Sequence, residues 1–251
     1  MLRWQTKCLA AASLVALISG TANAALLSRL SGQAYYDTEL DITWMADANL
    51  AASNNFGIST IDPSGAMSWE TANEWIAAVN GAAYLGASDW RLPLILDSGT
   101  PGCNWGNSGT DCGYNGLTKS GSTVYSEMAH MYYETLGNVG RYDTSGNFVD
   151  CPAEPIYCLT NQGPFSNIQT KSYWSGTSYA LDGNYAWAFG FGGGAQGDRE
   201  KSSTFHAWAV RSGDIAVVPL PASVWLLGSS LGALGALRRR QPRTQLLRAS
   251  R

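Results

Sequence analysis

Between Gln33 and Met45 the chain alternates and turns: Tyr35-Tyr36 lead into a polar stretch from Asp37 to Asp41, and Ile42-Thr43-Trp44-Met45 follow. This pattern predicts an early β-hairpin. Apolar residues then recur at helical spacing at Trp69, Ala72, Ile76, Val79 and Ala83, with Ser68 placed to cap the start and Gly81 near the stop. They predict a helix from Trp69 to Asn80. A second helix is expected from Val124 to Leu136, where Val124, Met128, Met131, Tyr132 and Leu136 share a face and Gly137 can end it. Glu127, His130 and Glu134 fall opposite that stripe and read as a solvated face. Later, Trp187, Phe189 and Phe191 alternate as a strand, and Thr204 to Arg211 offers another across the loop Gly192 to Ser203. That is a second hairpin with a long, flexible loop. Two helices, short antiparallel strands and long ordered loops make an α+β domain over residues 25–214.

The two ends have a different character. Arg3 and Lys7 precede an apolar run from Cys8 to Ile18, and Ala22-Asn23-Ala24 supplies small residues at a cleavage site, so residues 1–24 read as a secretory signal cut after Ala24. Export through the Sec machinery follows. Residues 215–237 carry 23 positions without a charge and are followed at once by Arg238, Arg239 and Arg240. At about 1.5 Å per residue this stretch is long enough to be one C-terminal transmembrane helix, with the basic tail 238–251 cytoplasmic and the domain outside. Pro219, Pro221 and three glycines weaken the helix, which fits a transient anchor as well as a permanent one. Val218-Pro219-Leu220-Pro221-Ala222, the apolar span and the arginine cluster together resemble the VPLPA variant of the PEP-CTERM sorting signal. That resemblance implies processing by exosortase, membrane attachment through the helix before sorting, and delivery to the cell surface or extracellular matrix of a Gram-negative bacterium.

Charge sharpens this division. All 19 acidic residues lie within 25–214 together with 8 basic ones, so the domain carries a net −11 although the whole chain carries −3. A nucleic-acid partner is excluded by sign. Four cysteines remain once the leader is gone: Cys103, Cys112, Cys151 and Cys158. An even number in an exported chain points to disulfides. Three pairings are open, and the local ones, Cys103 with Cys112 and Cys151 with Cys158, are the simplest. Each would close a short loop, contributing roughly 2 to 3 kcal/mol.

Gly86-Ala87-Ser88-Asp89-Trp90-Arg91-Leu92-Pro93 follows the first helix. With Trp44, Trp69, Tyr173-Trp174-Ser175-Gly176 and Ala209-Val210-Arg211, in that order, it resembles the Lcl C-terminal domain family of exported bacterial proteins over residues 33–213. The resemblance implies a C-type-lectin-like domain and a role in adhesion to glycan or matrix, with no catalytic residues to carry over. In physical terms, Trp90 is expected to fill the core while Arg91 bonds nearby carboxylates or carbonyls and Pro93 ends the segment, with Asp89 beginning it.

Catalytic patterns are missing. There is no G-x-S-x-G, no phosphate cradle and no C-x-x-C knuckle, and the domain has only His130 and His206. No cofactor is implied; calcium is the one ion that acidic loops suit, but no D-x-D-x-D-G ladder is present. What remains is aromatic and amide display: Asn104, Trp105, Tyr114 and Asn115 surround the Cys103–Cys112 loop, where rings can stack on sugars and amides can bond hydroxyls. Asp182, Asn184 and the Gly192 to Ser203 loop are candidate neighbours. The expectation is a non-catalytic surface protein that binds extracellular polysaccharide; the alternative is a structural component of the matrix without a discrete ligand.

Overall fold

The computed structural model describes residues 26–99 and 111–215. The leader with Ala24, loop residues Cys103, Asn104 and Trp105, the Val218-Pro219-Leu220-Pro221 motif and Arg238, Arg239 and Arg240 lie outside them. The described residues up to Asp214 belong to one compact unit.

The expected first hairpin forms, with β2 (Ala34–Asp37) antiparallel to β3 (Ile42–Met45) and Asp37 opposite Ile42. Asp37 closes the turn, because its Oδ1 accepts the backbone N–H groups of Glu39 and Leu40. Two further strands complete this sheet, one unpredicted and the other at the end of the stretch Thr204 to Arg211 that reads as a strand. β1 (Leu26–Arg29) pairs with β2, and β9 (Val210–Ser212) pairs with β3, giving the order β1-β2-β3-β9. A four-residue helix, α1 (Leu50–Ser53), leads to α2 (Trp69–Gly81), whose N-cap Ser68 accepts the Thr71 N–H. Ala72, Trp75, Ile76 and Val79 are its buried face.

The second predicted helix begins later than expected. Thr123–Val124 form β5, paired with β4 (Lys119–Ser120), and α3 (Glu127–His130) starts only after Ser126, whose Oγ caps Ala129 N. The helix then widens to a π turn over Met131–Thr135, with Leu136 N bonded to Met131 O, before Gly137 ends it at φ +66°. Glu127 and His130 are buried rather than solvated, being 6% and 1% exposed. For Glu127 the reason is a partner that the helical pattern does not reveal. The Arg91 guanidinium donates two hydrogen bonds to Glu127, both 2.7 Å, and Leu94 N donates a third, also 2.7 Å.

The late hairpin is also corrected. β7 (Tyr185–Gly190) pairs not with residues 204–211 but with β8 (Ala195–Glu200), across a tight turn at 191–194, and with β6 (Ser172–Ser178) on its other side. β8 lies inside the stretch that reads as a loop. Its sequence, Ala-Gln-Gly-Asp-Arg-Glu, has no apolar alternation, yet its backbone completes the ladder. Val210 instead pairs with Arg91 and with Trp44 of β3.

The two larger sheets meet through aromatic rings. Trp208 lies 4.6 Å from Trp44, 4.8 Å from Phe165 and 5.8 Å from Phe191; Phe191 continues to Phe189, Tyr173 and Tyr132. Two of the buried indoles find acceptors, Trp208 Nε1 donating to Met45 O and Trp174 Nε1 to Met67 O, whereas Trp44 Nε1 is buried without one. The result is a mixed α/β fold with antiparallel sheets and few helices. Among the described residues no helix is long and apolar enough to cross a membrane.

Removing charge from Glu127 leaves Arg91 without its counter-ion at a largely buried junction. Glu127→Gln is expected to cost about 3 kcal/mol, read as a lowered urea midpoint at an unchanged m-value. Glu134→Gln, on the exposed side of the same helix, should change the midpoint by less than about 0.5 kcal/mol.

Candidate functional site

The β7–β8 turn shapes a concavity on the described surface. Gly193 and Gly194 N–H groups fold back on Gly190 O, and Gly194 takes φ +76°. A Cβ at Gly194 would sit 2.2 Å from the Tyr133 hydroxyl, so glycine is required twice, for conformation and for space. Tyr133 holds the turn by donating to Gly194 O at 2.7 Å, and burial pushes its hydroxyl pKa up to about 12. Cys158, in a disulfide with Cys151, donates its N–H to Gly192 O and so brings Tyr157 against the turn.

The groove that results has a volume of about 580 Å³. Tyr114 and Tyr157 supply aromatic walls, Arg141 and Lys171 supply cations, and the backbone of Gly192 and Gly193 forms part of the floor. Arg141 is tied to the turn by its N–H to Gly193 O, and Lys171 O accepts from Phe191 N. The Arg141 guanidinium lies 5.8 Å from the Phe148 ring centre and 5.8 Å from that of Tyr157. Tyr114 meets Tyr142 in a tilted ring contact at 4.9 Å, and burial raises its hydroxyl pKa.

His206 closes one end, and its tautomer follows from its neighbours. Asn49 Nδ2 donates to Ser64 O, which leaves Asn49 Oδ1 as an acceptor 3.2 Å from His206 Nδ1. Nδ1 therefore carries the proton and Nε2 is an acceptor. Gly65, at φ +86°, makes room for this carboxamide, since a Cβ there would meet Asn49 Oδ1 at 2.1 Å. Burial, then the charge of Lys171, lowers the His206 pKa from 6.5 to about 4, so the ring is neutral.

Of the residues expected to bind ligand, Tyr114 lines this groove. Asn115 serves as scaffold instead: its Nδ2 donates to Tyr142 O, and its backbone N–H donates to the Tyr133 hydroxyl. Asn104 and Trp105 are outside the described residues. Asp182 and Asn184 sit elsewhere, at a second concavity with Glu70 and Glu200. Cys112 is disulfide-bonded, while Cys103 is not among the described residues. The motif residues are structural. Asp89 forms a two-bond ion pair with Arg211, Trp90 is buried with Nε1 on Tyr84 O, Arg91 holds Glu127, and Pro93 O accepts Gly176 N.

Sequence reasoning missed Arg141, Tyr157, Lys171 and His206. One signal was present: Lys171 is the only basic residue of 25–214 with no acidic residue within ten positions. Among the described residues no group of three metal-ligating side chains is suited to hold an ion. Comparison with protein-family models, with curated proteins and with solved structures finds no match to this chain.

The lowered pKa of His206 makes stability depend on pH. The unfolded chain takes up a proton near pH 6.5 and the folded one only near 4. Stability contributed by the neutral ring is therefore complete above 6.5 and falls as pH drops toward 4. His206→Gln should flatten that part of the stability profile measured by thermal melts. Asn49→Asp should raise the His206 pKa, read by NMR titration, because a carboxylate facing Nδ1 favours the imidazolium.

Proposed function

We propose that this is an exported, exosortase-sorted surface or matrix protein of a Gram-negative bacterium, and that its domain binds extracellular polysaccharide without catalysis. The address comes from the leader and the Val218-Pro219-Leu220-Pro221 tail. The similarity of the domain to the Lcl C-terminal and C-type-lectin-like families belongs to the same proposal. It is supported by the way the motif blocks assemble: Arg91 pairs with Val210, and Gly176 N bonds Pro93 O.

The groove is the observation that carries the binding reading. Tyr114 and Tyr157 offer aromatic faces, His206 Nε2 is an acceptor, and Arg141 and Lys171 are donors. A volume of about 580 Å³ falls in the range of small-ligand sites. Apolar ring faces beside convergent polar groups suit a sugar, which has C–H faces and a hydroxyl rim. The turn is held by hydrogen bonds and a disulfide, so little ordering cost is left for binding.

The test is calorimetry of the full-length chain, purified in detergent with its disulfides intact, against the producer's exopolysaccharide, with calcium and then with EDTA. Saturable binding is expected in both, weakened about ten-fold by Tyr114→Ala or Tyr157→Ala as a stacking face is lost. Loss in EDTA alone would make calcium part of the site. Absence of binding in both conditions would favour the structural matrix component.

A further inference from the structure

We propose that the groove takes an acidic sugar, a pyranose residue of an extended polysaccharide whose carboxylate lies between Arg141 and Lys171. The inference rests on the polysaccharide reading and adds the sign of the ligand's charge.

The domain carries 19 acidic residues against 8 basic ones, yet no carboxylate lines the groove. Three smaller concavities each have at least one: Glu70, Asp182 and Glu200 in one, Asp62 in another, Glu39 and Glu134 in the third. Four cations elsewhere are matched by carboxylates, and Lys201 lies over the Trp69 ring. Arg29 meets Asp214, Arg91 meets Glu127, Lys119 meets Glu39 and Arg211 meets Asp89. Among the described residues neither Arg141 nor Lys171 has an ion-pair partner. Both are attached to the 191–194 turn through their backbones, so the fold presents two positive charges outside any ion pair at one concave surface, with the Glu154 carboxylate held on the Tyr157 hydroxyl. Neutral His206 adds an acceptor and no negative charge.

Such a concavity focuses a positive potential that the rest of the domain opposes. An anion inside it gains two partners, whereas a polyanion elsewhere on a net −11 domain is repelled. The guanidinium of Arg141 lies over the Phe148 and Tyr157 rings, so its in-plane N–H groups are what it offers a ligand. That planar fork matches a carboxylate. Tyr114 and Tyr157 then face the sugar ring, and His206 Nε2 can accept from a ring hydroxyl. Phe148, 60% exposed beyond Arg141, provides a further apolar face for the next residue of a chain.

The proposal is tested with the full-length chain in detergent and five polymers: polygalacturonate, its methyl ester, dextran, dextran sulfate and polyglutamate. Polygalacturonate should bind saturably and the methyl ester about ten-fold more weakly, with Arg141→Gln or Lys171→Gln costing a similar factor and Arg141→Lys less. Thermal melts of each variant separate loss of binding from loss of fold. Equal binding of polygalacturonate, its ester and dextran, unaffected by the variants, would overturn the acidic-sugar assignment and leave the polysaccharide reading standing. Dextran sulfate binding without polygalacturonate would overturn the carboxylate. Polyglutamate binding as tightly as polygalacturonate would overturn recognition of the sugar ring. Binding of none of the five, with the producer's own polymer also unbound, would remove both readings.

Discussion

The Arg91–Glu127 pair is the constraint on which the rest of this domain is hung. Glu127 is almost fully buried, and a buried carboxylate persists only where donors surround it. Here two come from Arg91 and one from the Leu94 backbone. They fix the first residue of α3 against the segment 89–94, and every neighbour of that segment is placed in turn. Asn80, at the end of α2, holds Trp90 by a two-way amide contact; Val210 pairs with Arg91; Gly176 of β6 bonds Pro93. One irregular stretch thus joins two helices and the two larger sheets of a domain with little regular structure.

From this junction the aromatic core carries rigidity to the groove. Trp208 and Phe191 link the β1-β2-β3-β9 sheet to the β6-β7-β8 sheet, and Tyr132 brings the π turn into the same cluster. Tyr133, next to it in the chain, then reaches the β7–β8 turn through Gly194 O. The π turn matters here, because its extra residue per turn changes the direction of side chains after His130. The disulfide adds a second restraint, since Cys158 bonds the turn at Gly192 O. Binding groups are therefore mounted on loops, but on loops whose backbone bonds are satisfied within the core.

Much of the regular structure was legible along the chain. Ser68, the apolar spacing of Ala72, Ile76 and Val79, and the Asp37–Asp41 turn each act over a few residues, and α2 and the β2–β3 hairpin formed where those signals lie. The Cys151–Cys158 closure was similarly local. The late strands were misread because β8 is held by backbone pairing to β7, and polar side chains leave no alternating trace. Val124 and Glu127 were misplaced for a related reason: a helical stripe cannot show that its polar edge meets an arginine 36 positions earlier. At the site, Tyr114 stood out as an aromatic among amides, whereas Asn115 looked the same yet spends its amide on Tyr142 O.

By itself, then, the sequence determined the segregation of charge, the α2 helix, the first hairpin and the motif that becomes the central strap. These depend on composition or on neighbours within about a turn of chain, where patterning acts directly. Only the tertiary structure decided that Arg141, Lys171, Tyr157 and His206 share one concavity with Tyr114 and that no carboxylate joins them. Such convergence depends on long-range backbone pairing and on which buried charge finds which partner. Neither is written in the local pattern of polar and apolar residues.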